Sequence, residues 1–463
     1  MAALSHEPWS QSIVSRSSYA SVPATIGEPV SWSDLRLTPS IQRSFRAERA
    51  AELTMPAALV LLEGGVVGVI AAKIYQVEPL TLALISAAPM FANLSSFFWS
   101  RLSAGRSKVA VACVLQALII ACVVSVALVP SGAFGAAVLV SSMIASRVLL
   151  AGVVTVRSVI WSLNFARNQR ARATSQLQMI NAIVTVIISS AIGPLLDMYP
   201  DSLAWIYWSG ALIGGLGLML FAQVRVVGEA RQRVRERQQR RSPVRSIGFI
   251  QILKTDRWFR WYQINMFGAG FSNMLIEAPL IFIITRQMQA SYTVSIMLTM
   301  VIPFAVSLIS MPLWANYLDR VHVAQFRSRQ SVLWILAQLL TMLGAMLESL
   351  VWLVIARTIM GIARGGGSLA WQLGHNDFAR QDQLGAYMGL HVTLTGLRGA
   401  IAPFLGILLY AGWQQGGLLP GAWEGIGPWV FGAAGIVSGL SGWGFYGLYR
   451  AMKREGRITL RVS

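Results

Sequence analysis

Glu63 and Glu277 each stand near the middle of a long apolar run. A charge at bilayer depth costs several kcal/mol unless it is paired or hydrated, so each marks a working site. A carboxylate there can take up and release a proton, coupling proton movement to another event. It can equally pair with an arginine and fix helix packing. The basic residues in comparable positions are Arg147, Arg357, Arg364 and Arg398, with His391 on the same stretch as the last. Arg357 and Arg364 are two helical turns apart and share a face, and His391 and Arg398 repeat that spacing. A guanidinium keeps its charge when buried and grips carboxylate or phosphate in a fork. The set therefore reads as a substrate-binding or proton-relay group, His391 being the residue suited to relaying protons. Ion pairs from the arginines to Glu63 and Glu277, and a packed histidine, are the structural alternatives. The sequence holds no phosphate-binding glycine loop, nucleophile elbow or metal-ligand cluster. Cys113 and Cys122 share one apolar run and read as small hydrophobes. No catalytic residue, metal or cofactor is expected.

The elements that position these residues are transmembrane helices. Of 463 residues, 55% are hydrophobic and only 12% charged, and the mean hydropathy is +0.57. The apolar residues fall in runs of roughly 20, the length that crosses a bilayer as a helix. We read spans near 53–75, 79–100, 109–129, 135–158, 176–197, 203–223, 261–285, 292–315, 329–346, 349–372, 386–411 and 426–449. The polar, Ser-rich stretch at 1–42 reads as a disordered cytoplasmic tail without the apolar core of a cleaved signal peptide. Residues 43–223 and 257–449 form two six-helix units. They are joined by a basic linker at 224–256 and followed by a basic tail at 450–463.

The net charge of +19 lies between the spans and on one side. Arg101, Arg106 and Lys108; Arg167, Arg170 and Arg172; and Arg320, Arg327 and Arg329 share a side with Arg43, Arg46, Arg49 and the basic C-terminal tail. The other side has little beyond Lys73 and Arg286, and holds Glu78, Asp197, Asp201, Glu348 and Glu424. Cationic loops stay cytoplasmic. Both termini are therefore expected inside the cell membrane. The arginines of the linker are expected along its cytoplasmic face, against anionic lipid headgroups rather than nucleic acid.

The two halves are copies. Arg43 and Arg46 match Arg257 and Arg260, Glu63 matches Glu277, and Pro89 matches Pro303, all 214 residues apart. Arg147 and Trp161 match Arg357 and Trp371 at 210, and Pro194 matches Pro403 at 209. Matches in chain order at Glu, Arg, Pro and Trp exceed what shared apolarity produces. Two like six-helix halves with a long linker resemble the major facilitator superfamily over about residues 41–450. The resemblance implies a monomer whose halves rock around a midplane cavity, with the first and seventh helices among its walls.

That family's loop motif, Gly-x-x-x-Asp-Arg-x-Gly-Arg-Lys/Arg, survives only at its basic end. The loop after the second helix here runs from Trp99 through Arg101, Gly105 and Arg106 to Lys108 without the Asp. The loop after the eighth keeps Asp319 and Arg320 and loses the glycines. Arg101, Arg106, Asp319 and Arg320 are gating candidates by this resemblance. Asp377, in the run Gly374-His375-Asn376-Asp377, is a further latch candidate or a plain helix-ending loop. Gly193-Pro194 is what remains of a helix-5 motif of the family's exporters, and it favours export. The glycines around Gly399 and Gly365–Gly367 read as packing elements. The expectation is a secondary transporter moving a small organic solute, coupled to protons. The alternative is a receptor or assembly factor on the same fold, for which the eroded motifs leave room.

Overall fold

In the computed structural model, which describes residues 37–239, 248–379, 383–413 and 422–458, the long apolar runs are helices. They are α1 (Pro39–Lys73), α2 (Pro79–Ser103), α3 (Lys108–Leu128), α4 (Ala133–Asn164), α5 (Arg167–Met198), α6 (Leu203–Phe221), α7 (Arg257–Gln287), α8 (Tyr292–Leu318), α9 (Val323–Met346), α10 (Leu350–Leu373), α11 (Leu384–Ala411) and α12 (Trp429–Arg454). Among the described residues nine spans are long and apolar enough to cross a membrane, on α1, α3 to α8, α10 and α11. On α2 the described apolar stretch is the shorter Pro79–Asn93, and α9 and α12 fall below that apolarity. α9 spends positions on Arg327, Arg329, Gln330 and Gln338, and α12 is built largely of glycines and aromatics.

Helix packing repeats along the chain. α1 packs on α5 and α6, α3 on α6, and α4 on α2 and α3. Six helices later, α7 packs on α11 and α12, α9 on α12, and α10 on α8 and α9. The two sets meet where α2 lies along α11 and where α5 meets the start of α8. At the latter, a Cβ on Gly193 would come within 2.6 Å of the Thr293 Cα. Only glycine permits this approach of two backbones.

α1 and α7 are both interrupted, and at corresponding places. Glu63 has extended backbone (φ −81°, ψ 136°) between the helical segments Pro56–Val60 and Gly64–Lys73. α7 breaks at Ile276, immediately before Glu277. A break frees carbonyls from their intrahelical partners, and these need donors from elsewhere. α8 carries a π-helical segment at Met297–Val301, one turn of widened helix.

Several helices outrun their apolar cores. α1 starts at Pro39, inside the stretch read as tail, with proline in its first turn and Phe45, Glu48, Ala51 and Glu52 buried. α5 starts at Arg167, α9 at Val323 and not 329, and α12 continues to Arg454, past the expected start of the tail. Apolar runs mark only the part of a helix that meets lipid; polar turns extend beyond it. The tail at 1–36 and linker residues Arg240, Arg241 and Arg245 lie outside the described residues.

Candidate functional site

A cavity of about 500 Å³ opens at the middle of the helix assembly, and both interrupted helices contribute to its wall. Glu63 and Glu277 line it, together with Arg327, Arg364 and Arg398. The glutamates are 28% and 31% exposed at their side chains, so each carboxylate meets the cavity. Behind each stands its repeat-equivalent arginine. Arg147 Nη1 lies 2.7 Å from Glu63, and its side chain is 10% exposed. Arg357 Nη2 lies 3.6 Å from Glu277, and its side chain is 1% exposed.

Neither arginine serves its glutamate alone. Arg147 donates twice, from Nε (3.1 Å) and Nη2 (2.6 Å), to the Leu62 carbonyl at the α1 break. Tyr207 donates to the adjacent Leu61 carbonyl at 2.9 Å. Arg357 reaches a different target. Its Nε donates to the Leu298 carbonyl at 2.8 Å and its Nη2 to Thr299 at 3.3 Å, both in the π-helical segment of α8. Each arginine thus ties a carboxylate on the cavity to the backbone of an irregular helix. Arg147 and Arg357 are absent from the cavity wall, in contrast to Arg364 and Arg398.

The opposite end of the assembly from the basic loops is bonded shut across the two sets of helices. Lys73 donates to the Ala290 carbonyl at 2.7 Å and Arg286 to Val77 at 3.1 Å. Asp197 accepts from the Tyr292 and Thr293 N–H groups (2.8 and 2.9 Å) and from the Thr293 hydroxyl at 2.6 Å.

The profile of the Major Facilitator Superfamily matches residues 57–403. The chain belongs to the major facilitator superfamily. Its fold is similar to that of the nucleoside transporter NupG, with TM-score 0.64 at 12% identity, covering 88% of this chain and 100% of that one. It is also similar to the peptide transporter POT in complex with sulfate, with TM-score 0.66, 14% identity and coverages of 90% and 96%. The xylose transporter XylE from E. coli in a partially occluded inward open conformation gives TM-score 0.61, 12% identity and coverages of 88% and 98%. No curated protein matches. The family is one of membrane transporters and not of enzymes, and general secondary transport follows for this chain.

The family's loop motif lacks its acid here, and the structure shows what stands in that place. Linker residues Glu229–Gln239 form a helix docked on the α2–α3 loop. Glu236 accepts from the Gly105 N–H and from Lys108 Nζ, each at 2.7 Å. Glu229 accepts from the Lys108 N–H at 2.5 Å, and Arg237 donates to the Gly105 carbonyl at 3.2 Å. Lys108, which the sequence places among the loop charges, is 1% exposed. Burial works to raise the Glu236 carboxyl, but the donors from Gly105, Lys108 and Gln232 hold it below the ordinary carboxylate value. Arg101 and Arg106 are exposed at this loop. Asp319 and Arg320 are exposed at the end of α8, and among the described residues Asp319 forms no ion pair. Asp377 accepts from the Val323 N–H at 2.8 Å, capping α9, and faces His322 Nε2 at 3.9 Å.

His391 is buried beside the cavity wall rather than on it. Its Nδ1 lies 3.1 Å from Gln263 Oε1, and its ring centroid is 5.4 Å from that of Trp371. Two further groups carry no clear signal in the sequence. Arg327 falls among the loop charges there; because α9 starts early it faces inward, 8% exposed, on the cavity. In the first half of the chain, Glu48 (1% exposed) and Glu52 (4%) enclose Arg157. Arg157 bonds Glu48 at 2.9 Å and also bonds Glu52. Trp161 Nε1 donates to Glu48 and Asn181 to Glu52, both at 2.7 Å. The one signal available for this cluster is helical spacing: Glu48 and Glu52 are one turn apart.

Proposed function

We propose that the chain is a proton-coupled secondary transporter of a small organic solute, with twelve transmembrane helices in two six-helix bundles. One observation carries this reading: two carboxylates, at equivalent breaks in α1 and α7, meet one cavity, each backed by its own arginine. Protonating Glu63 or Glu277 removes one side of its ion pair and leaves the arginine with its remaining bonds, to the Leu62 carbonyl for Arg147 and to the Leu298 and Thr299 carbonyls and the Met360 sulfur for Arg357. Breaking a buried pair changes the balance by a few kcal/mol, enough to shift a two-state rocking equilibrium many-fold. Because Arg147 and Arg357 hold carbonyls at the helix irregularities, a proton at the cavity acts directly on the backbone that must rearrange.

In this reading the basic face lies on the cytoplasmic side of the cell membrane and both termini are inside. The state described is closed toward the exterior by the Lys73, Arg286 and Asp197 bonds. Arg101, Arg106, Asp319, Arg320 and Asp377 act at the cytoplasmic gate, and exposed linker arginines such as Arg231 and Arg235 face anionic headgroups. The protein works as a monomer. Gly193-Pro194, packed on Thr293 at the exterior closure, favours export in exchange for protons. A receptor or scaffold role fits less well, since it gives no use to two carboxylates kept on a cavity.

The test is purified protein in liposomes containing a trapped pH-sensitive dye. Gradients of impermeant aromatic solutes are imposed: benzenesulfonate, phenylphosphonate, phenyltrimethylammonium and phenyl glucoside. Proton movement driven by at least one of them, absent from protein-free liposomes, is the expected result. Proton movement with none of them refutes the coupling.

A further inference from the structure

Three arginines line one cavity with no carboxylate of their own. Arg147 and Arg357 neutralise Glu63 and Glu277, whereas Arg327, Arg364 and Arg398 form no ion pair among the described residues. Arg398 is 4% exposed; it donates through Nη1 to the Met266 carbonyl, and its Nε has no partner. Arg327 donates to Gln330 (3.0 Å) and to the Gly367 carbonyl (3.2 Å), and its Nε is likewise without a partner. Arg364 forms no hydrogen bond among the described residues; its guanidinium carbon lies 4.1 Å from the Phe304 ring centroid, and Glu277 and Glu63 attract it at longer range.

Each of these arginines keeps its charge when buried. An uncompensated buried charge is strongly unfavourable; Arg327 and Arg398 are buried and Arg364 half-buried, so with Glu63 and Glu277 already paired to Arg147 and Arg357 the space holds more base than acid. Gly270, also on the wall, is where the Arg398 guanidinium packs against α7. A Cβ there would overlap the guanidinium, so glycine is what lets Arg398 lie at this place on the cavity wall. Besides the paired Glu63 and Glu277 and polar groups such as Asn273 and Gln372, the wall carries apolar and aromatic side chains, with Trp334, Trp371, Phe445 and Met90 facing the same space. A cavity of about 500 Å³ is within the range that encloses a drug-sized organic molecule.

Resting on the transporter reading above, we infer that the cargo is an organic anion. Its carboxylate-, sulfonate- or phosphonate-class head is held among Arg364, Arg398 and Arg327, and its apolar or aromatic body lies against Trp334, Trp371 and Phe304. The forked geometry of arginine suits a planar or tetrahedral oxyanion. The ring faces give a flat apolar body its contact area.

The experiment is equilibrium dialysis of the full-length protein in detergent with benzenesulfonate and phenylphosphonate, against phenyltrimethylammonium and phenyl glucoside as cationic and neutral counterparts. At least one anion is expected to bind, and neither counterpart. Arg364→Gln should raise the Kd at least tenfold, and Arg364→Lys should recover part of the loss. Arg364 makes no backbone bond among the described residues, so its variant should keep the wild-type melting temperature; Arg327→Gln tests the anion site from another helix, and its loss of the Gly367 bond is read separately as a fall in melting temperature. The inference is overturned if neither anion binds, if the cation or glucoside binds as well as the anions, or if binding survives both Arg364→Gln and Arg327→Gln. It fails separately from the transporter reading: proton movement driven by the cation or glucoside, without anion binding, would sink the anion site and leave coupling intact. Anion binding without proton movement would do the reverse.

Discussion

The two halves of this chain share a scaffold and differ in buried charge. Beside the first interrupted helix, Arg157 is shared by Glu48 and Glu52, a closed cluster with more acid than base. At the positions one repeat later stand Tyr262, Met266 and Gly367, with no carboxylate. There the second half presents Arg327, Arg364 and Arg398 to the cavity. The Glu63–Arg147 and Glu277–Arg357 pairs, by contrast, occur in both halves. A duplicated transporter retains in each copy what both copies must do, here linking a carboxylate to an irregular backbone. It can differentiate where only one copy meets a particular group of the cargo. The first-half cluster is a lock, and the second-half cluster is a receptor.

The contrast makes its largest prediction for stability. Arg157→Gln leaves two buried carboxylates uncompensated and should cost about 3–5 kcal/mol, read as a large drop in melting temperature of the purified protein. Adding Glu48→Gln should recover part of it. Arg364→Gln, on the other side of the comparison, should leave the melting temperature alone. Equal effects of Arg157→Gln and Arg364→Gln would erase the distinction between lock and receptor.

The linker gives a second, pH-dependent asymmetry, since its described helix docks only on the first half's loop. The Glu236 carboxyl is held below its ordinary value in the folded protein. Its contribution is therefore fully present above the ordinary carboxylate range and is lost as pH falls through the lowered folded value. A spin label at Gln238 should be immobile at neutral pH and become mobile on strong acidification. Glu236→Gln should give a mobile label already at neutral pH. A label that is mobile in the wild-type protein at neutral pH would contradict docking.

The smallest effect is expected at the corresponding loop of the second half. Asp377→Ala removes an acceptor from the start of α9 and should cost about 1 kcal/mol, typical of a helix-capping loss. The melting temperature then falls slightly, with no change in anion binding. Burial lowers the His322 imidazole below its ordinary value against the opposing pull of Asp377, so its neutral form is favoured in the folded state. That loop should weaken on acidification, through the protonation of His322.

Much of this is legible in the sequence because bilayer and duplication constrain it strongly. Apolar runs locate the helices, and repeat spacing alone pairs Glu63 with Glu277 and Arg147 with Arg357. Tertiary geometry decides the rest. Nothing local distinguishes Arg327, inside a helix that starts early, from Arg329 in the same turn. The division of labour among arginines is also hidden: Arg147 and Arg357 take carbonyls freed by irregular helix, and backbone breaks do not announce themselves in composition. Glu48 and Glu52 look like the solvated approach to a membrane span because their partner, Arg157, lies more than a hundred residues away. Glu236 is a carboxylate on the linker helix meeting a loop whose own acid is absent, a substitution that no linear motif can display.

The central claim is that Glu63 and Glu277 carry the protons that drive the rocking of the two halves. It is tested most directly by comparing, in liposomes, pH-driven net movement of the anion identified by dialysis with its exchange at equal concentration and equal pH on both sides. Glu63→Gln combined with Glu277→Gln should abolish pH-driven net movement while exchange continues, because the cavity and its arginines remain. Undiminished pH-driven movement in that double variant would contradict the account.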